Sequence, residues 1–261
     1  MNPSSSQRFD TLAASYAVSE VHIHSPTRDR LHTFLPRVES VCDVASGAGH
    51  TGLGFAGIAS RIVAVDPAPN MLAQVRQLAA SRAIAVETVE AFAESIPLAS
   101  ASFDLVVCRV AAHHFSNLPK AMSEMTRLTK PGGYLAIIDM EGDENPEIDA
   151  LNHEIEVLHD PTHVRSYTAK HWRELFASNR LKVETCETRC WEFPGGLTVK
   201  RWCELGNSGD KALQAIQDRL ASAPTEWLAE LEISLDPDGG YRIPVRTLLI
   251  LGRKSSDFSN E

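Results

Sequence analysis

Val41-Cys42-Asp43-Val44-Ala45-Ser46-Gly47-Ala48-Gly49-His50-Thr51-Gly52 is the stretch that decides the fold. A short apolar run carries a carboxylate at Asp43 and passes straight into three glycines spaced G-x-G-x-x-G. Glycines at this spacing permit a tight strand-to-helix turn and let a ligand approach the backbone, with the N-terminus of the next helix beside it. Taken alone, the spacing does not say which ligand.

Outward from this loop, short apolar runs alternate with amphipathic stretches between about residues 38 and 140, a rhythm that predicts strand–helix units and a parallel sheet. The predicted strands are 38–44, 61–65, 83–89, 105–108 and 134–139. Met71, Leu72, Val75, Leu78 and Ala79 recur at helical spacing, as do Ala121, Met122, Met125 and Leu128. Pro131-Gly132-Gly133 is read as the stop after the second of these helices. Beyond it, Asn145-Pro146 reads as a helix cap ahead of the stripe Ile148, Leu151, Ile155, Leu158. Further helices are predicted near 168–178 and 211–221, and strands at 181–186 and 247–251. Residues 187–239, broken by Pro194-Gly195-Gly196 and by glycines 206 and 209, read as an insertion.

Composition narrows the partners. The 261 residues carry 25 Lys and Arg against 34 Asp and Glu, a net charge of −9. An acidic surface repels phosphate backbones, so no nucleic-acid partner is expected. The five cysteines form no C-x-x-C pair and are read as reduced thiols, with no metal site, in a soluble cytoplasmic protein. No apolar run is long enough to cross a membrane, so no membrane partner is expected.

The glycine pattern fits a nicotinamide dinucleotide as well as S-adenosylmethionine. Asp43 favours the second, because a carboxylate suits the ammonium end or a structuring water of an amino-acid ligand and is unwelcome beside a pyrophosphate. Asp66, ending the next strand, can accept hydrogen bonds from ribose hydroxyls, which both ligands carry. The ordered set D-V-A-S-G-A-G, V-D-P-A-P-N-M-L, A-E-S-I-P-L, F-D-L-V-V and L-T-K-P-G-G-Y-L resembles class I S-adenosylmethionine-dependent methyltransferases, in particular the branch related to ubiquinone and menaquinone biosynthesis. The resemblance covers about residues 38–140.

The resemblance implies a doubly wound, mostly parallel seven-stranded α/β sheet, Rossmann-like, with an antiparallel last strand and a helical cap. It divides the chain into a helical lid (1–36), a cofactor-binding core (37–186 with 240–254), an acceptor-side insertion (187–239) and a disordered tail (255–261). It also implies S-adenosylmethionine as cofactor and methyl transfer to a small-molecule acceptor at oxygen, carbon or nitrogen. Asp43, Ala45, Ser46, Gly47 and Gly49 would surround the methionine part and Asp66 the ribose. Met71 would pack near the adenine, although its place on a helical stripe reads equally as core. Ser46 departs from the glycine usual in the family, and Ala68 cannot cap the helix that follows it. Phe92-Ala93 stands where the family often has Asp-Ala at the adenine edge; Phe92 cannot accept the amine's hydrogen bond, while the Ala93 N–H stays available.

Phe9-Asp10 and Tyr16 resemble the family's lid, which places Tyr16 over the cofactor. Arg109, just past the fourth strand, serves either the cofactor carboxylate, the acceptor or a structural ion pair. His113 and His114 are the candidate general bases, since an imidazole titrating near 6.5 can take a proton from a hydroxyl or amine. The competing readings are a nicotinamide-dependent oxidoreductase and a non-methylating protein on the same fold.

Overall fold

Strands whose residues are apolar in unbroken runs must be covered on both faces, and the computed structural model, which describes residues 4–256, shows that arrangement. Three helices come first: α1 (Ser5–Ala17), α2 (Glu20–Ile23) and α3 (Pro26–Phe34). The alternating region follows as β1 (Ser40–Val44), β2 (Arg61–Asp66), α4 (Pro69–Ser81), β3 (Glu87–Glu90), β4 (Phe103–Arg109), α5 (Leu118–Leu128) and β5 (Thr129–Met140). The chain continues through α6 (Pro146–His159), α7 (Ala169–Ser178), β6 (Leu181–Trp191), β7 (Leu197–Thr198), α8 (Val199–Gly206), α9 (Asp210–Ala221) and α10 (Thr225–Glu230). It closes with β8 (Ser234–Leu235), β9 (Tyr241–Ile243) and β10 (Arg246–Lys254).

The main sheet has seven strands in the order β3-β2-β1-β4-β5-β10-β6. All neighbours are parallel except β10, which runs antiparallel between β5 and β6. Alternate side chains feed two cores. Val41, Leu105, Val107, Ile138 and Leu249 face Leu31 of α3 and Phe55. Cys42, Val106, Ile137 and Ile250 face Met122 and Met125 of α5 and Trp172 and Phe176 of α7. Strand order reverses between β1 and β4, the switch point at whose carboxyl edge such sheets open a crevice.

Several boundaries differ from the sequence reading. β3 begins at Glu87 rather than residue 83, because it is the edge strand and its half-exposed residues give a weak apolar signal. The glycine loop leads into a short 3-10 turn, Gly52–Phe55, not a full helix; Gly52, Gly54 and Gly57 make a longer one costly. Helix α5 stops at Leu128, ahead of Pro131-Gly132-Gly133, which lies inside β5.

The expected boundary at residue 187 shifts both ways. β6 continues in the sheet to Trp191, where it pairs with Arg246. In contrast α6, assigned to the core, buries Ile148, Leu151 and Ile155 against Val199 and Trp202 of α8, Ile216 and Leu220 of α9, and Ile243. The cap therefore has its own apolar core, with a three-stranded β7-β9-β8 sheet at its side. Where it meets the sheet, Arg246 of β10 lies 3.5 Å from Glu141 and 3.3 Å from Asp143 and donates to the Glu230 carbonyl of α10 at 3.2 Å. Among the described residues no helix is long and apolar enough to cross a membrane. Most of the tail expected to be disordered, 257–261, lies outside the described residues, as do residues 1–3 of the lid segment.

Candidate functional site

The loop after β1 is shaped by two carboxylates. Asp43 is 1% exposed and accepts a hydrogen bond from the Gly52 N–H at 2.7 Å. A Cβ on Gly52 would stand 2.9 Å from the Asp43 Cβ, so only glycine fits there. Burial pushes the Asp43 carboxyl up to about 7, against the Gly52 hydrogen bond. Through that bond Asp43 pins the turn from behind the residues that line the cavity. Gly49 also lies behind the wall, at φ +87°, packed on Val75.

Asp66 braces the loop from the end of β2. Its Oδ2 accepts from the Gly47 N–H at 2.8 Å and its Oδ1 from the Ala68 N–H at 2.9 Å. Each oxygen keeps a free lone pair, and the side chain lines the cavity. Burial raises its pKa, and the two backbone bonds oppose that rise. Ala68 provides no side-chain cap for α4; Asp10 of α1 accepts from the Asn70 N–H at 2.8 Å in its place. A lid residue thereby caps a core helix, and Phe9, Ala13 and Tyr16 pack with Ala48, Ala68 and Met71.

One cavity of about 430 Å³ runs from this loop toward the cap. Ala45, Ser46, Gly47, Asp66, Met71, Phe92, Ala93, Arg109, Tyr16, His113 and His114 all line it. Ala45 has φ +53°, a conformation that costs a residue with a Cβ and that clusters at functional sites. Phe92 is 58% exposed at the rim, whereas Met71 is buried. Arg109 donates to the Thr51 hydroxyl (2.9 Å) and the His22 carbonyl (3.0 Å) and faces Glu192 at 3.8 Å, so its guanidinium is committed to the wall. Burial, then the Asp160 charge, pushes the Tyr16 phenol up to about 12.

Toward the cap, the turn after β4 carries the two histidines. The His113 N–H donates to Asp139 Oδ2 at 2.8 Å, and its Nδ1 lies 2.6 Å from Asp139 Oδ1. Burial alone would depress this imidazole, but the Asp139 charge and hydrogen bond override it and hold the pKa above 6.5. His114 differs: its Nδ1 donates to the Thr162 carbonyl at 3.1 Å, and burial together with the charge on His113 drives its pKa down. The His113 carbonyl accepts from the N–H groups of Val164 and Arg165, which docks the loop after α6 onto this turn.

Sequence reasoning missed Asp139, Glu156, His159 and Glu192. The last three line the cavity, and Asp139 stands behind it. Asp139 was legible in principle: β4 and β5 are parallel, and Arg109 pairs with Ile138, so the residues just beyond each must meet.

The residues fit the cofactor that the glycine loop implies. A Cβ on Gly47 would meet nothing within 4 Å, so the loop backbone stands open to the cavity beside the spare lone pairs of Asp66. Comparison with known proteins gives the family. A family profile described as a methyltransferase domain matches residues 42–137. The uncharacterized methyltransferase YcgJ of Bacillus subtilis is 30% identical over 216 residues, 82% of this chain and 84% of that protein. Its crystal structure superposes with a TM-score of 0.79 at 26% identity, covering 88% of this chain and 99% of the other. The uncharacterized protein YafE of Escherichia coli is 32% identical over 68% of this chain and 84% of its own length. The chain belongs to the class I S-adenosylmethionine-dependent methyltransferases.

Proposed function

We propose that the cavity takes S-adenosylmethionine at its loop end and a small-molecule acceptor at its cap end, with His113 as the base between them. The observation that carries this is the continuity of one cavity from Gly47 and Asp66 to the His113–Asp139 pair. The bound cofactor supplies a methyl group already activated as a sulfonium. In-line placement and exclusion of water are then left to the protein, and orientation alone supplies roughly 7–11 kcal/mol in well-arranged reactions.

Asp66 receives the ribose hydroxyls on its spare lone pairs, the Gly47 backbone lies along the methionine part, and the Ala93 N–H and Phe92 border the adenine end. Arg109, committed to Thr51, His22 and Glu192, shapes the wall rather than binding a carboxylate. The Asp139 carboxylate fixes the proton on His113 Nδ1 and leaves Nε2 as the acceptor for a proton from an acceptor O–H or N–H. His114, held by Thr162, positions that turn and is not the base. Five free cysteines support a reducing compartment, and we place the enzyme in the cytoplasm.

Calorimetry with S-adenosylhomocysteine tests the placement. The wild type binds, and Asp66→Ala and Gly47→Arg weaken binding at least about tenfold, a change of about 1.4 kcal/mol. Unchanged affinity in both variants sinks it. A labelled-methyl screen over quinols, phenols, amines and carboxylates then identifies the acceptor.

A further inference from the structure

Glu156 is unused in the chemistry above. It follows Ile155 on α6, so one residue enters the cap core and the next reaches the cavity. The side chain is 8% exposed. Among the described residues it makes no hydrogen bond, and only the charges of His113, Asp160 and Asp139 act on it. A buried carboxylate without a partner is costly to keep, and this one faces open space.

A second residue of the same lining carries an unpartnered atom. His163 Nε2 is buried without a hydrogen bond, and its ring stacks on His113 at 5.3 Å. Burial, reinforced by the neighbouring histidines, pushes its pKa down to about 2, so it offers a neutral nitrogen. Trp202 adds a flat wall to the same end of the cavity, backed by the His159 ring at 3.9 Å and 5°.

The charged side chains lining the cavity are unbalanced. Asp66, Glu94, Glu156, Asp160 and Glu192 face one guanidinium, Arg109, whose Nε and one Nη donate to Thr51 and His22, and the His113 imidazole, held by Asp139. Asp160 has Arg8 at 3.2 Å and the Thr162 hydroxyl at 2.7 Å, and Glu192 accepts from Thr27 and faces Arg109. Glu156 alone among the cap-side carboxylates lacks such a partner. An anionic acceptor would enter among more carboxylates than cations. A cation would complete the site by pairing with Glu156 and lying over an aromatic face.

We infer that the cap end recognises a positively charged nitrogen, so that the acceptor is a molecule bearing an amine or a protonated ring nitrogen, seated between Glu156 and Trp202. The assignment rests on the methyl-transfer reading of the cavity. It concerns the head group that is recognised, not the atom that is methylated.

Three probes of one skeleton test it: 2-phenylethylamine, 2-phenylethanol and phenylacetate, titrated in the presence of saturating S-adenosylhomocysteine. The amine binds at least about tenfold more tightly than the alcohol, as one charge-assisted hydrogen bond allows, and phenylacetate binds weakest. Glu156→Gln brings the amine down to the alcohol, Glu156→Asp keeps the preference, and neither changes affinity for S-adenosylhomocysteine. Equal binding of the three probes, binding of none, a preference for phenylacetate, or an amine preference that survives Glu156→Gln overturns the assignment. If the wild type fails to bind S-adenosylhomocysteine, the methyl-transfer reading falls, and the same titrations without it still decide for or against Glu156.

Discussion

Replacing Glu156 by Gln should stabilise the protein at alkaline pH and leave it nearly unchanged in mild acid. The carboxyl has an ordinary pKa of 4.5 and is pushed by burial to about 7. The folded state therefore holds this proton more tightly than the unfolded chain does. Its contribution is fully present below pH 4.5 and is lost as pH rises through 7. At about 1.4 kcal/mol for each tenfold change in proton affinity, the rise amounts to about 3 kcal/mol. Relaxation of the cavity lining will absorb part of that, so a gain of roughly 1–3 kcal/mol is expected for the variant at pH 8, against less than about 1 kcal/mol at pH 5. Urea unfolding at the two pH values, read as a shift in midpoint at constant slope, measures it. The reasoning is refuted by a difference of equal size at both pH values, or by a variant less stable at pH 8.

Three other outcomes follow from the geometry. Removing the carboxylate behind the base, Asp139→Asn, leaves burial as the dominant influence on His113. The wild-type kcat/KM profile should rise with pH to an inflection above 6.5, and the variant's inflection should fall below it with a lower plateau; identical profiles would separate His113 from the proton transfer. Gly52→Ala forces a Cβ to 2.9 Å from the Asp43 Cβ and should cost about 1–3 kcal/mol, seen in thermal unfolding as a lowered Tm. Arg8→Ala removes the lid's bonds to the Gly206 carbonyl and to Asp160; acceptor KM should rise while the affinity for S-adenosylhomocysteine changes less, as steady-state kinetics and calorimetry will show.

The sheet was legible because its central strands are buried on both faces and so must be apolar throughout; Val63 to Val65 and Leu105 to Cys108 contain no polar residue. Edge strand β3, half-exposed, gave a blurred boundary. The loop end of the cavity was legible as well, since Gly47 and Asp66 sit at fixed offsets from strand ends. The cap end was not. Glu156 hides inside a helix whose apolar stripe dominates its pattern, and its isolation becomes visible only when α8 folds Trp202 beside it. Asp43 was legible only in part: its offset from the glycines marks a backbone brace as readily as a ligand contact, and the 2.7 Å bond to Gly52 shows itself only in the folded turn.

The helix that caps α4 through Asp10 also reaches the cap through Arg8, so α1 is tied to both sides of the cavity at once. Products that leave past α1 wait for the same opening. Rapid mixing should accordingly give a burst, a first turnover faster than those that follow, with the later turnovers paced by the lid rather than by the chemistry. The uncapping of a core helix at each opening would make that pace sensitive to the integrity of a segment far from the transferred methyl group.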